Sequence, residues 1–333
     1  MGLNIREIVP RKEISFSELK NRVIAVDAFN AIYQFLSSIR QHDGTPLMDS
    51  QGRISSHLSG LFYRNISLIS DGIKLVYVFD GKPPEMKRET NEMRSESKEI
   101  AREKYEIAKT KEDYAAMKKY SQQIAKIDEG IIKESKELLN AMGIAVIQSP
   151  GEGEAEASYL AKNKRVYGVA SQDYDCLLFG SPRLIQNLTL AKRRKTASGF
   201  IEITPEIIEL EVVLNKLQIN HEQLICIGIL TGTDYNPKGI KGIGQKKALD
   251  IVRKWKTPVQ IFKQFNDLDF DWKEIFEMFK KPDVKDVEIF FPKIDEKRIK
   301  EILLSRDFSE ERIDKQIEKL KEVKQKANQK TLF

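Results

Sequence analysis

The chain has 333 residues, 56 Lys and Arg against 50 Asp and Glu, a formal net charge of +6 and a sequence pI near 9.0, and it is 41% hydrophobic and 32% charged. No apolar run reaches the length of a membrane span, the longest conspicuous one being Leu224–Leu230, and the start lacks both the apolar region of a signal peptide and the Ser or Thr that myristoylation wants where Arg6 stands. Cys176 and Cys226 lie far apart in apolar company and the three histidines show no metal spacing, which argues against a disulfide framework or a zinc site and for a cytoplasmic protein whose basic surface suits an anionic partner.

Residues 22–30 begin with a β-branched apolar run ending at Asp27, and Ile32, Phe35, Leu36 and Ile39 give 31–39 a helical period. Residues 57–70 read as a second amphipathic helix, and Ile73 to Phe79 as a second strand ending at Asp80. This alternation predicts parallel strands joined by crossover helices. After Gly81-Lys82 the character changes. From 85 to 137 charged residues dominate, and sparse apolar ones such as Ile100, Tyr105, Ile107 and Tyr114 predict helices weakly anchored to a core: a solvated hairpin, or a lid over a site. Strands follow at 144–147 and 165–170, the latter ending near Asp173 and Asp175. A basic run, Lys192, Arg193, Arg194 and Lys195, lies between predicted strands. Residues 206–230 look helical, and polar helices with a lysine-rich tail follow Trp255.

Asp27, Asp80, Asp173 and Asp175 each follow an apolar strand, and the carboxyl ends of parallel strands share one edge, where ligands bind in open α/β folds. Residues 151–157, GEGEAEA, add Glu152 and Glu154 after the 144–147 strand. Acids in a first helical turn complement the helix dipole, but three glutamates with the smallest possible spacers exceed that need. With Asp234, the crowded carboxylates would repel unless cations resolved them, and oxygen-only donors select Mg²⁺ or Mn²⁺. Two such ions can activate a water and stabilise the leaving oxygen of a phosphodiester. Lys87 and Arg94, seven apart and so on one helical face, could hold and polarise the scissile phosphate. The segment GIKGIG, with Gly239, Ile240, Gly242 and Gly244 before a helix carrying Lys246 and Lys247, resembles a helix–hairpin–helix grip on duplex phosphates.

These pieces together (MGLN, AVDAFNAIYQFL, VFDGKPP, SPGEGEAEA, ASQDYDCLLFGSP and LTGTDYNPKGIKGIG) identify a chain that resembles the archaeal flap endonucleases along nearly its whole length. The resemblance implies a structure-specific nuclease cutting 5′ flaps from branched DNA with two Mg²⁺, in replication and repair, on a mostly parallel sheet flanked by helices (a PIN-like 5′ nuclease fold). The seven acids correspond to its metal ligands and Lys87 and Arg94 to its arch residues at the scissile phosphate. Tyr33 matches an aromatic on which a base stacks, Gly2 an N-terminal residue close to the site, and the Gly239 to Gly242 loop a duplex contact holding K⁺.

The implied organisation is one nuclease domain over 1–333, with a first core part at 1–84, a helical arch at 85–137 and the rest of the core at 138–260. Within that last part the helix–hairpin–helix element falls near 232–255. C-terminal helices at 261–325 and a tail at 326–333 complete the chain. Gln329, Leu332 and Phe333 supply the first half of a sliding-clamp box that then stops, so either the chain is truncated or Phe333 is an incomplete anchor; a monomer is expected otherwise. A DNA-junction scaffold gains nothing from seven carboxylates beside phosphate. A PIN-type ribonuclease would lack the arch and the 232–247 segment. In the glutamate run the family pattern selects Glu152 and Glu154, with Gly153 permitting an irregular backbone and Glu156 left facing solvent or a neighbour.

Overall fold

Short β-branched runs that are apolar on both faces belong in the middle of a sheet. A computed structural model describes residues 3–41, 44–82, 84–190, 193–196 and 199–329. Its strands are β1 (Lys12–Glu13), β2 (Val23–Asp27), β3 (Lys74–Phe79), β4 (Ala145–Gln148), β5 (Gly168–Ala170), β6 (Arg183–Gln186), β7 (Arg193–Thr196), β8 (Gly199–Glu202) and β9 (Glu206–Glu209). A seven-stranded sheet runs in the order β1-β9-β6-β5-β2-β3-β4, and β7 and β8 form a separate antiparallel ribbon. Strands β6, β5, β2, β3 and β4 are parallel, whereas β9 is antiparallel to both β6 and β1. The sheet is therefore mixed but mostly parallel.

The first helices are α1 (Ala28–Ser38), α2 (Ser56–Ser59), α3 (Asn65–Ser70), α4 (Arg88–Thr110), α5 (Tyr114–Gln123), α6 (Glu129–Ala141), α7 (Gly153–Lys162) and α8 (Asp175–Leu178). After β9 come α9 (Leu210–Leu217), α10 (His221–Thr231), α11 (Gln245–Trp255), α12 (Pro258–Phe262), α13 (Trp272–Lys280), α14 (Glu296–Leu304) and α15 (Glu310–Gln329). Alternate residues of each strand enter different cores. Ile24 and Val26 of β2 join Ile32, Phe62, Leu138 and Leu320 on one face. Ala25 joins Leu160, Leu177 and Ile225 on the other. Helices α1, α3, α6, α14 and α15 thus cover one face, and α7, α8, α10, α11 and α13 the other.

Two expectations need correction. The 206–230 stretch is not one helix: Ile207 and Ile208 of β9 are buried in opposite cores, and the helical part breaks at Gln218, whose φ is 49°. The basic run does not lie between strands, because Arg193, Arg194 and Lys195 are themselves in β7. The 57–70 helix is continuous but contains a π turn at Gly60–Arg64, where a Cβ on Gly60 would meet the Phe35 ring at 2.2 Å. Of the charged 85–137 stretch, α4 and α5 pair as a hairpin, while α6 buries Ile131, Leu138 and Leu139 against the sheet.

Candidate metal centre

Strand register decides where the acids meet. Asp27 closes β2 opposite Val78, Asp80 follows the last residue of β3, and Phe79 pairs with Gln148 at the end of β4, just before Glu152. Ala170 ends β5 opposite Val26, just before Asp173. Asp234 arrives from the turn after α10. Five chain segments thus deliver seven carboxylates to one edge of the sheet.

Local chemistry holds each acid. The Asp27 carboxylate caps α1 by accepting from the Asn30 amide at 3.1 Å. Asp80 accepts from the Gly153 amide at 2.7 Å, and a Cβ at Gly153 would lie 2.6 Å from the same carboxylate. Gly153 is therefore required for close approach rather than for an irregular backbone: it is the first residue of α7, with Glu152 as the N-cap. Because Glu152 stands before the helix, it escapes the rotation that would set it apart from Glu154. Glu156 points away from the acids. It is fully buried, and its Oε2 accepts from the Lys285 amide at 2.9 Å, so the segment after α13 is the neighbour that it meets.

Carboxylate oxygens of Glu154, Asp173 and Asp175 lie within 4.8 Å of one another. One oxygen of Asp175 is buried without a hydrogen-bond partner. Burial raises the pKa of Asp80 to about 7, with Asp27 and Glu152 adding to it, and that of Asp173 to about 6, with Asp234 adding. Burial also pushes Asp27, Glu154 and Asp175 up, and Asp173 contributes to the last two. Crowded, desolvated carboxylates with a bare oxygen are a poor arrangement for protons alone and a good one for a divalent cation. The donors are all oxygen, since the nearby Cys176 thiol is buried with its pKa pushed far up; such a set fits Mg²⁺ or Mn²⁺.

The two predicted cations stand among these acids. Lys87 Nζ donates to Glu152 at 2.5 Å and lies 3.4 Å from Asp234. Burial disfavours its charge, yet Glu152 and Asp234 hold its pKa above the ordinary lysine value. Arg94 donates one nitrogen to both Asp234 oxygens, at 2.7 and 2.8 Å. The foot of α4 is tied down as well, because Thr90 donates to the Asp234 carbonyl.

Sequence reasoning missed three polar partners. Ser171 Oγ lies 3.2 Å from Asp27 and 3.0 Å from Glu154, bridging the end of β2 and the first turn of α7. Tyr235 donates to Glu152 at 2.8 Å, and the third is Thr90 on the Asp234 carbonyl. Tyr235 adjoins Asp234 and Ser171 stands two residues before Asp173, at the same turn and strand-end positions that singled the acids out.

The remaining predicted residues scatter more widely. Tyr33 is exposed on α1. Gly239 and Gly242 have positive φ, 55° and 79°, and a Cβ on Gly239 would meet the Thr231 carbonyl carbon at 2.6 Å. Gly244 caps α11, the Ile240 amide donates to Leu230, Lys246 pairs with Glu7, and Lys247 reaches the Gly242 carbonyl. Gly2, Lys192, Leu332 and Phe333 lie outside the described residues, as do the side chains of Arg193, Arg194, Lys195 and Gln329. A cavity of about 310 Å³ beside Asp173 is lined by Leu3, Asn4 and Arg6, so the N-terminal segment borders the site.

Family models agree with this picture: the XPG N-terminal domain matches residues 4–101 and the XPG I-region residues 143–234. Flap endonuclease 1 of Thermococcus onnurineus (strain NA1) is 51% identical over 336 residues, covering 100% of this chain and 98% of its own. The solved flap endonuclease-1 from Methanococcus jannaschii superposes with a TM-score of 0.77 at 39% identity, over 97% of this chain and 98% of that one. The catalytic core of Rad2 in complex with DNA substrate shares the fold at 22% identity, with a TM-score of 0.72 over 96% of this chain and 100% of that one.

Proposed function

The chain belongs to the flap endonuclease family of metal-dependent DNA nucleases, and from that premise we propose how its residues divide the work. Asp27, Asp80, Glu152, Glu154, Asp173, Asp175 and Asp234 hold two Mg²⁺ ions, with Mn²⁺ as a substitute. The Glu154, Asp173 and Asp175 triad supports one of these positions. The chemistry such ions supply is Lewis-acid polarisation of phosphoryl oxygens and a lower pKa for an attacking water.

Lys87 and Arg94 neutralise and orient the scissile phosphate, placing positive charge where negative charge grows in the transition state. Their present partners, Glu152 and Asp234, hold the cations at the edge of the site before substrate arrives. Ser171 and Tyr235 keep Asp27, Glu154 and Glu152 aimed inward. The substrate is 5′-flap or other branched DNA. The 5′ strand passes the α4–α5 hairpin, a base stacks on Tyr33, and Gly2 and the β7 basic run add contacts. The duplex rests on the Gly239–Gly244 loop, with K⁺ there, and on Lys246 and Lys247. A monomer working in the cytoplasm, in Okazaki-fragment processing and repair, engages a sliding clamp through Gln329, Leu332 and Phe333.

One observation carries the reading: seven carboxylates and two cations from distant parts of the chain meet at the carboxyl edge of the sheet. The test is Asp175→Ala with end-labelled flap DNA. Cleavage falls by more than about 10²-fold while a gel shift still shows flap binding. Cleavage at the wild-type rate would overturn the metal assignment.

A further inference from the structure

The opposite edge of the same sheet carries a second charged feature. A cavity of about 490 Å³ opens where β2, β5 and β6 begin, lined by Arg22, Lys162, Lys164, Arg165, Tyr167 and Arg183 among others. It is separated from the acids by the length of β2, on the order of 13 Å. Five cations converge there, and no carboxylate lines the cavity among the described residues.

Helix ends explain part of this. Lys162, Lys164 and Arg165 surround the C-terminus of α7, where the helix dipole favours positive charge. Arg165 also has Asp286 at 3.4 Å, an exposed pair that contributes little. The dipole does not explain Arg22 and Arg183, which come from the starts of two other elements. Both guanidiniums lie over the same ring, 4.7 and 4.5 Å from the Tyr167 centroid. Arg183 Nε is buried with no hydrogen-bond partner. Its neighbour Gly168 has no room for a side chain, as a Cβ there would meet the Arg183 backbone oxygen at 2.9 Å, so Arg183 is pressed against Tyr167 by the pairing of β5 and β6. One aromatic ring offsets part of the repulsion between two guanidiniums; it does not supply the acceptor that the buried nitrogen lacks.

We propose that this cavity is a binding site for a small phosphate-rich anion of the nucleoside-triphosphate class. The volume falls in the range of small-ligand pockets, and guanidinium forks match phosphate oxygens two at a time. A free polyphosphate and the phosphates of a DNA substrate share this chemistry, and competition between them separates the two sources.

The test is calorimetric titration of the full chain, free of divalent ions, with sodium tripolyphosphate and separately with ATP. The wild type binds both, and Arg22→Gln/Lys162→Gln/Arg165→Gln, confined to exposed side chains, loses at least about tenfold in affinity. Circular dichroism verifies the fold, and Arg22→Lys, which keeps the charge but loses the fork, falls in between. The same variants cut flap DNA at wild-type rate. Absence of binding by the wild type overturns the proposal, as does equal binding by the triple variant. Displacement of tripolyphosphate by flap DNA also overturns it, by placing the anion in the DNA groove.

Discussion

Helices α4 and α6 leave the same charged stretch of sequence and are held in opposite ways. Over 13 residues α6 buries Ile131, Ser135, Leu138, Leu139 and Ala141. Over 23 residues α4 buries only Thr90, Ala101 and Ala108, and its Met93, Ile100 and Ile107 stay exposed. What fixes α4 is polar and lies at its foot: Arg94 on Asp234, Thr90 on the Asp234 carbonyl, Lys87 on Glu152, and Glu89 with Lys238. On the returning arm of the hairpin, Ser121 of α5 donates to the Gly44 carbonyl. One helix is anchored by area removed from water. The other is anchored by charges that also belong to the site, so whatever occupies the site acts on the helix.

The widest separation between the two should come from truncating apolar side chains. Leu138→Ala in α6 should cost about 2–5 kcal/mol in denaturant unfolding, and Ile107→Ala in α4 less than about 0.5 kcal/mol; similar costs would erase the contrast. Next, Arg94→Ala should slow single-turnover cleavage by about 10²-fold with flap affinity nearly unchanged. A loss confined to affinity would make Arg94 an anchor of α4 and nothing more.

Smaller again, Thr90→Val should speed hydrogen exchange in the first turns of α4 by the equivalent of about 1 kcal/mol and leave α6 amides untouched. Equal changes in both helices would mean that they open as one unit.

A pH-dependent test concerns a polar tie on the α6 side. Glu134 meets both His57 and Arg306, and Arg306 also reaches Asp49. Burial alone would raise the pKa of Asp49, but hydrogen bonds from the Arg53 amide and the Arg306 guanidinium carry it down to about 2 from an ordinary 3.8. A depressed carboxylate stabilises the fold above its unfolded value and loses that contribution as pH falls through its folded value. Stability should therefore decline between pH 3.8 and about 2, and Asp49→Asn should flatten that segment of the curve measured by circular dichroism.

Legibility in the sequence followed physical locality. Strands β2, β3 and β4 could be read because each is a short apolar run closed by an acid or a turn, and the acids could be read from the same positions. Strand β9 could not, since Ile207 and Ile208 fit a helix as well until antiparallel pairing to β6 decides. Glu156 was hidden for a similar reason: its partner, the Lys285 amide, is 129 positions away. The purpose of Gly153 needed the arrival of Asp80 from another strand. Lys87 and Arg94 were visible as cations, but their resting partners depend on where α4 docks, which a charged helix with so little buried surface does not announce.

Asp27 divides its carboxylate between two duties, one oxygen capping the start of α1 and the other turned to Ser171 among the acids. The residue that ends the strand thereby starts the helix that carries Tyr33. The start of the first strand–helix unit and one wall of the centre consequently share a single side chain. Asparagine is the substitution that separates them: its side-chain carbonyl preserves the helix start and its lost charge registers only in the chemistry.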